Sequence, residues 1–243
     1  LFLGRTDEDL EKAMLAGVKA QRAQVSGNIK FDLSPSLMDS QFVLKLKEAI
    51  GVAPGTKVIT AGSTHPGEEE MLLEAFRDLA PEFGPLKLVI APRHPERFAE
   101  VEGIIKKAGI PFARRSKGGR ADVILLDSIG ELMTVYSFSD IAVVGGSLVP
   151  GIGGHNLLEA AYFGKPVVYG GHLTTYLGMA ELLEKEGGGI RAVGENGLAG
   201  ALKSLLSNEL FMKRTGANAK KVVEENRGAA ERTAAAIEKL LRS

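Results

Sequence analysis

The 243-residue chain contains no cysteine and no tryptophan, and its formal net charge at pH 7 is zero. The lack of cysteine excludes disulfides and thiolate metal sites, and it fits a reducing compartment. The 30 Lys and Arg residues are matched by 30 Asp and Glu residues, so the basic excess typical of nucleic-acid-binding proteins is missing. The sequence also has no apolar run of about 18 residues and no signal peptide. We therefore expect neither a nucleic-acid partner nor a transmembrane segment.

Histidine is scarce, and its distribution argues against a metal site. Each of the four histidines lies in a different segment, so the spacing of metal ligands is absent: His65, His94, His155 and His172. Gly164-Lys165 is not a phosphate-binding P-loop, because that motif needs a glycine five residues before its Gly-Lys pair, and Glu159 stands there. A G-x-S-x-G nucleophile elbow is also missing. We expect no metal and no cofactor.

The apolar residues, 44% of the chain, form short runs that alternate with helical patterns. Strands are predicted at residues 23–26, 57–61, 87–91, 110–113, 123–126, 141–144 and 166–169. Between strands, the spacing of Leu72, Ala75, Phe76 and Leu79 is typical of a helix, and Thr6 is predicted to cap a helix over residues 6–17. Strands separated by helices predict parallel βαβ units and a Rossmann-like, doubly wound α/β sheet.

The most informative stretch is the glycine-dense segment at residues 145–159, which follows the predicted strand at 141–144. A strand that leads through such a loop into a helix can present backbone N–H groups to an anion at the helix N-terminus. His155, Asn156 and Glu159 fall at the predicted helix start, where their side chains can reach a bound phosphate. Asn156 and Glu159 also form a capping-box-like pair, which would satisfy those N–H groups without a ligand. Spacing alone leaves both interpretations open.

Polar residues also follow two earlier strands of the predicted core. After the strand at 57–61, a crevice lining is predicted from Gly62, Ser63, Thr64 and His65. The alternative is a well-capped helix with His65 as the cap, Pro66 at the first helical position and Glu68 at the third. After the strand at 87–91, Arg93 and His94 are placed to meet a phosphate or to stack against a base, although a lone pair of this kind is often solvated.

A third strand end carries the segment Ser128-Ile129-Gly130-Glu131-Leu132. Backbone groups around Gly130 can hydrogen-bond a nucleobase, since backbone recognition needs small residues more than particular side chains. The basic residues just before that strand are interpreted as a solvated loop with a minor tendency to contact an anionic surface: Arg114, Arg115, Lys117 and Arg120.

Together, these motifs resemble those of bacterial 3-deoxy-D-manno-octulosonic acid (Kdo) transferases. In chain order they are FDL after GNIK, AGSTHPGEEE, PRHPERF, DVILLDSIGEL, VVGGSLV and GGHNLLEAAYFGKPVVYG, and they cover nearly the whole chain. The resemblance implies one half of a GT-B glycosyltransferase, in which two Rossmann-like domains face each other across a cleft. Residues 1–33 would be the end of the N-terminal domain with its linker, and residues 34–243 the C-terminal domain. Because the chain begins with Leu1, we expect it to be a piece of a longer protein.

Members of that family move Kdo from CMP-Kdo to the lipid A precursor during lipopolysaccharide assembly, at the cytoplasmic face of the inner membrane. The resemblance implies that this chain binds CMP-Kdo. Its first ligand loop would be Ser63, Thr64 and His65, preceded by Gly62, and the residue beside the cytosine would be Arg93. The neighbouring His94 is also expected to bind the donor. The backbone of Gly130, Glu131 and Leu132 would read the base. The phosphate and ribose would be held by Gly153, Gly154, His155, Asn156 and Glu159, preceded by Gly146 and Ser147.

Two departures from the family pattern occur in the glycine-dense segment. Three residues, Pro150-Gly151-Ile152, separate GGSLV from GGHN, where two are usual, and this insertion is expected to shift the phosphate loop slightly. Ala160 replaces a common proline, with little expected effect.

No catalytic residue is expected in this chain. The resemblance places the acidic general base, much of the acceptor site and the membrane-binding surface in the N-terminal domain. We therefore expect a soluble piece that binds donor without turnover. Two alternatives stay open: half of another GT-B-like enzyme, such as a UDP-sugar transferase or epimerase, and a binding module that keeps only the fold.

Overall fold

The computed structural model describes residues 1–32, 39–194 and 197–242. The chain divides into two compact units, one made of Leu1–Ser34 with Val223–Ser243 and the other of Pro35–Val222. The first division lies one residue from the predicted boundary, but the structure also groups the C-terminal segment with the N-terminal one. None of the helices in the described ranges has the length and apolar character needed to cross a membrane.

The smaller unit contains two short parallel strands, β1 (Phe2–Gly4) and β2 (Ala23–Val25), with α1 (Asp7–Leu15) between them. As predicted, Thr6 caps α1, and its side chain accepts a hydrogen bond from the Asp9 N–H. The C-terminal helix α10 (Ala229–Leu241) belongs to the same unit. Asp32 holds its start, because the Asp32 carboxylate accepts hydrogen bonds from the N–H groups of Gly228 and Ala230.

The larger unit is built on a seven-stranded parallel sheet with the order β5-β6-β4-β3-β7-β8-β9. Its strands are β3 (Lys57–Thr64), β4 (Leu86–Pro92), β5 (Phe112–Arg114), β6 (Val123–Leu125), β7 (Ile141–Val144), β8 (Val167–Tyr169) and β9 (Gly189–Arg191). The fold class predicted from the sequence is confirmed. All residues of β4, β6, β7 and β8 are buried, as expected of parallel strands covered on both faces.

Helices cover the sheet and connect its strands. They are α2 (Ser40–Ala49), α3 (Glu68–Phe83), α4 (Phe98–Lys107), α5 (Leu132–Phe138), α6 (Leu158–Tyr162), α7 (Leu177–Lys185), α8 (Leu198–Leu206) and α9 (Glu209–Glu225), the last of which runs into the smaller unit. The largest core cluster includes Leu72 and Leu73 of α3, Ile90 of β4 and Leu202 of α8. The predicted apolar stripe of α3 therefore faces the sheet, and the buried face of α8 joins the same core.

The side on which strands are added to this sheet changes at its centre. From β3 the chain adds β4, β6 and β5 on one side and then returns to place β7 on the other side of β3. Connections that leave β3 and β7 therefore diverge, which opens a crevice beyond the carboxyl ends of these strands. Open α/β sheets bind their ligands at such a switch point.

Candidate functional site

The crevice begins where β3 departs from regular geometry. The pairing of β3 with β4 shifts between Gly62 and Thr64, and Ser63 between them has a φ of 57°. A non-glycine residue in this left-handed region is uncommon and is often found at a functional site. Gly62 has a packing role, because a Cβ there would collide with the Tyr136 hydroxyl.

A cavity of about 320 Å³ adjoins Ser63. The last residues of β3 and β4 and the segments that follow β4 and β6 line it, so three of the strand ends identified from the sequence meet in one place. Four predicted site residues lie in its wall: Ser63, Arg93, Gly130 and Leu132. The exposed side chain of Ile129 lies at its edge. This volume is at the lower end of the range for small-molecule sites, and a planar heterocycle would be accommodated.

The wall that contains Gly130 is anchored from behind by arginines. Glu131 accepts a hydrogen bond from Arg115 Nη2 at 2.9 Å and another from the Ser128 hydroxyl. The buried Asp127 carboxylate accepts from Arg114 Nε at 2.6 Å. The prediction of a solvated basic loop was wrong for Arg114 and Arg115, because carboxylates that are distant in sequence approach them. The Glu131 carboxylate is already hydrogen-bonded to Arg115 and Ser128. The backbone near Gly130 is therefore the part of this wall that can face a ligand in the cavity.

Three of the four histidines converge beside the cavity. His65 Nε2 and His155 Nε2 are 2.7 Å apart, and their rings are stacked with an interplanar angle of 9°. His94 meets His65 edge-on at a centroid distance of 5.5 Å. In this pair one Nε2 must donate a hydrogen bond and the other must accept it. At least one of the two rings is therefore neutral, with its Nε2 deprotonated. The loop after β3 is thereby joined to the glycine-dense segment.

Burial sets the protonation of this pair. Burial, and then the charges of His65, Arg93 and His94, lower the pKa of His155 to about 4. Burial also lowers the pKa of His65, with smaller contributions from His94 and Arg97. Both imidazoles are therefore neutral near pH 7, and they present hydrogen-bonding groups without adding positive charge.

The first half of the glycine-dense segment does not offer its amides to a ligand. The N–H groups of Gly146, Ser147 and Leu148 donate to the Glu68 carboxylate at 2.8, 3.0 and 2.9 Å. The fully buried Ser147 donates its hydroxyl hydrogen to the Val144 carbonyl and accepts from the Gly170 N–H. The expectation that Gly146 and Ser147 hold the donor directly is therefore corrected: their polar groups are used within the protein.

Helix α3, which carries Glu68, starts later than predicted. The helix begins at Glu68, after Gly67 with a φ of 91° as its N-cap. The prediction of His65 as the cap and Pro66 as the first helical residue was wrong. Instead the His65 N–H donates to Glu68 Oε2 at 2.9 Å.

The second half of the segment supplies the helix start that the sequence indicated. Gly153 and Gly154 are buried with φ values of 89°, and α6 begins at Leu158, two residues after Asn156. Asn156 Oδ1 accepts from the Leu158 N–H at 3.1 Å, and its Nδ2 donates to Glu159 Oε1 at 3.3 Å. Asn156 thus binds the first residue of α6 from the position before the N-cap, Leu157. Glu159 pairs with the Asn156 side chain, a different arrangement from a reciprocal capping box.

Glu159 is half-buried in the first turn of α6. Burial raises the pKa of its carboxyl, while the Asn156 hydrogen bond and the charge of Arg93 act in the opposite direction. A carboxylate in this setting is a strong acceptor for ligand hydroxyl groups.

Thr64 belongs to a buried network on the other side of β3. Its hydroxyl donates to Glu69 Oε1 at 2.7 Å, and Arg97 donates to both Glu69 oxygens and to the Thr64 carbonyl. The predicted role of Thr64 as a direct ligand contact is corrected, because its side chain points into this network.

Sequence reasoning missed Glu68 as the acceptor for the loop after β7, and it missed the buried Glu69–Arg97 ion pair of the neighbouring network. A signal was present for the two glutamates, because Glu68 and Glu69 share the helical spacing of the buried Leu72 and Leu73.

Within residues 1–32, 39–194 and 197–242, acidic and histidine side chains form no cluster of three or more suited to a metal ion. The arrangement that remains is a cavity for a planar ring with Arg93 in its wall. The charge of Arg93 also acts on His155, one of the two neutral imidazoles, and on the Glu159 carboxylate. These groups suit a ligand that combines a heterocycle, hydroxyl groups and an anion.

Known proteins are similar to this chain in sequence and in fold. Residues 68–222 match the family Glycosyl transferases group 1. The chain is 36% identical over 222 residues to the 3-deoxy-D-manno-octulosonic acid transferase of Haemophilus influenzae, a match that covers 89% of this chain and 51% of that protein. It is 38% identical over 209 residues to the transferase of the same name from Aquifex aeolicus, covering 85% and 54%. The chain thus spans about half the length of the curated relatives it matches.

Solved structures show the same architecture. The crystal structure of the C-terminal CMP-Kdo binding domain of WaaA from Acinetobacter baumannii superposes with a TM-score of 0.67 at 29% identity, covering 75% of this chain and 96% of that one. Anabaena HepE in complex with UDP superposes with a TM-score of 0.62 at 19% identity, covering 100% of this chain and 64% of that one. At that lower identity the likeness concerns the fold alone.

Proposed function

The chain belongs to the group 1 glycosyl transferases, and from this premise we propose that it is the CMP-Kdo-binding part of a transferase that moves Kdo to a lipid A precursor in lipopolysaccharide biosynthesis. The observation that carries the proposal is the cavity formed by the loops after β3, β4 and β6. It lies where a nucleotide base is expected in an open α/β sheet. The similarity to a CMP-Kdo binding domain and to Kdo transferases supports the choice of donor.

We place the cytosine in the cavity against the backbone of Gly130 and Leu132. Arg93, at the cavity wall, is assigned to the nucleotide beside the base. The ribose hydroxyls then face Glu159, and the phosphate lies toward His155 and the start of α6. The charge of Arg93 acts on both Glu159 and His155, and this supports the assignment of the three side chains to one nucleotide site.

The acceptor, the general base and the membrane are assigned to the half of the full-length relatives that this chain does not span. We propose that the parent protein works at the cytoplasmic face of the inner membrane. The chain by itself should bind donor without transferring sugar.

The proposal is tested by calorimetric titration of the chain with CMP, UMP, UDP and GDP. CMP should bind about tenfold or more tightly than the others, since a site that hydrogen-bonds one base leaves its polar groups unpaired with another. A preference for UDP would favour a UDP-sugar transferase. Flat titrations with all four nucleotides, on protein shown to be folded, would favour a module that keeps only the fold.

Replacing Glu159 by Gln should weaken CMP binding by about 1–2 kcal/mol, the scale of a hydrogen bond to a charged acceptor. The reason is the loss of the carboxylate that faces the ribose hydroxyls, whereas Gln can keep a bond to Asn156. The thermal unfolding midpoint should stay nearly unchanged. Isothermal titrations with CMP and 2′,3′-dideoxy-CMP provide the measurement.

Wild type should discriminate between these two ligands, and the Glu159→Gln variant should not. Glu181→Gln, an exposed change on α7, controls for the loss of one negative charge and should behave as wild type. If wild type and Glu159→Gln discriminate equally between CMP and 2′,3′-dideoxy-CMP, Glu159 does not contact the ribose and its role at the helix start is purely structural.

A further inference from the structure

The loop after β7 is organised around one buried carboxylate. Glu68 is fully buried and accepts four backbone hydrogen bonds, from the N–H groups of His65, Gly146, Ser147 and Leu148, at 2.8 to 3.0 Å. Burial raises the pKa of Glu68, and the four N–H donors oppose that effect. A nest of converging amides of this kind normally binds an external anion. Here the anion is part of the chain.

We propose that Glu68 is a positioning residue for the donor site, a built-in anion that fixes the loop after β7 in its ligand-binding shape. The inference rests on the proposed function, because the ligand whose binding it controls is CMP-Kdo. The four amides are buried with their acceptor, so without the carboxylate they would lack partners, at considerable cost. A loop with that cost would rearrange.

The effect of such a rearrangement reaches the ligand through His155. A Cβ at Gly146 would lie 2.9 Å from His155 Cδ2 and 2.8 Å from Ile152 Cγ2, so the Gly146 backbone is in close contact with the imidazole. The same Glu68 carboxylate holds the His65 N–H, and the His65 ring pairs with the His155 ring. Glu68 therefore holds both neighbours that contact the His155 ring, the Gly146 backbone and the His65 ring.

This arrangement also decides which groups are left for the donor phosphate. Because Glu68 occupies the amides of residues 146–148, the phosphate must bind beyond them, near Arg93, His155 and the start of α6. A second anion beside the buried carboxylate would meet like-charge repulsion at short range.

The test compares three adjacent glutamates of α3. Glu68→Gln replaces two acceptor oxygens by one oxygen and an NH₂ group, which cannot accept from four N–H donors. Glu69→Gln disturbs the neighbouring buried network, which does not include the loop after β7. Glu70→Gln changes an exposed residue in the same turn. CMP affinity is measured by calorimetry at a temperature where circular dichroism shows each variant folded.

Glu68→Gln should raise the Kd for CMP by about tenfold or more, on the scale of a lost charge-assisted hydrogen bond. It should also speed hydrogen exchange at Gly146, Ser147 and Leu148, measured without ligand. Glu70→Gln should change neither quantity, and Glu69→Gln should lose stability but keep its CMP affinity within about twofold. Unchanged affinity in folded Glu68→Gln, with wild type binding CMP normally, would overturn the inference and leave the proposed function intact.

Two further outcomes are decided by wild-type protein. If Glu68→Gln does not fold, hydrogen exchange is measured on the wild type instead. The amides of residues 146–148 should then exchange as slowly as those in the core of the sheet. Fast exchange at these amides would overturn the inference. If wild type does not bind CMP, the proposed function fails and the assignment of Glu68 to a donor site fails with it.

Discussion

Replacing Glu69 by Gln is expected to lower the free energy of unfolding by about 3–5 kcal/mol, the cost of removing one partner from a buried ion pair. The Glu69 side chain is fully buried and that of Arg97 is 9% exposed, with Arg97 Nη1 at 2.7 Å from Glu69 Oε1. Burial lowers the pKa of Arg97, but the hydrogen bonds and charges of Glu69 and Glu100 outweigh it and raise the pKa. The guanidinium therefore stays charged, and the variant leaves that charge without its buried partner.

The measurement is urea unfolding of the wild type and of Glu69→Gln, followed by circular dichroism. Glu70→Gln is the matched control, because Glu70 is exposed in the same first turn of α3. Both variants remove one negative charge near the helix N-terminus, an effect of about 0.3–1 kcal/mol. A loss for Glu69→Gln no larger than that of the control would show that Glu100 alone is sufficient to hold Arg97.

The central strands of the sheet were predictable because burial dictates their composition. Residues 141–144 form β7 as predicted, and β3, β4, β6 and β8 differ from prediction mainly at their ends. Edge strand β9 escaped detection, since its three residues, Gly189–Arg191, are only half-buried and have no apolar run. Strand β1 is equally short. Helix α2 was missed because only Leu46 is fully buried along its length, so its apolar pattern is weak.

The site could be predicted as a set of loops but not as a set of contacts. Parallel topology places the carboxyl ends of β3, β4, β6 and β7 at one edge, so Ser63, Arg93, Gly130 and His155 converge without any knowledge of side chains. Which polar groups remain available to a ligand depends on packing. Glycine density indicated free amides at residues 146–148, but a carboxylate about 80 residues earlier in the chain takes them. Sequence spacing does not show such a long-range partner.

The same distinction applies to the polar residues of the first loop. Ser63, Thr64 and His65 are adjacent in sequence, yet the Thr64 hydroxyl enters the Glu69–Arg97 network while the His65 ring pairs with His155. Successive side chains of a strand point to opposite faces of the sheet, so neighbouring residues at the end of β3 meet different partners. The sequence does not show which partner each side chain meets.

Replacing Arg93 by Ala is expected to weaken CMP binding by about 1.5–3 kcal/mol, the scale of a lost charge-assisted hydrogen bond. Arg93 lies in the wall of the cavity with an exposed side chain, and no ion pair involving it is found among residues 1–32, 39–194 and 197–242. Its backbone N–H donates to the Thr64 carbonyl, a bond that the alanine variant keeps. The guanidinium is therefore available to the nucleotide and contributes little to packing.

Calorimetric titration with CMP, together with thermal unfolding of the unliganded protein, separates the two roles. The Kd should rise roughly ten- to a hundredfold, while the unfolding midpoint stays within about 1–2 °C of wild type, since exposed loop residues usually contribute within about 0.5 kcal/mol. Arg120→Ala is the control, because Arg120 is also exposed. Its side chain lies beside Gly51, a residue of the segment that precedes β3. It removes the same charge from the protein at a place away from the cavity, so it should leave the affinity unchanged. Parallel losses of affinity and stability in Arg93→Ala would make Arg93 a structural residue, and equal losses of affinity in both variants would reduce its effect to net charge.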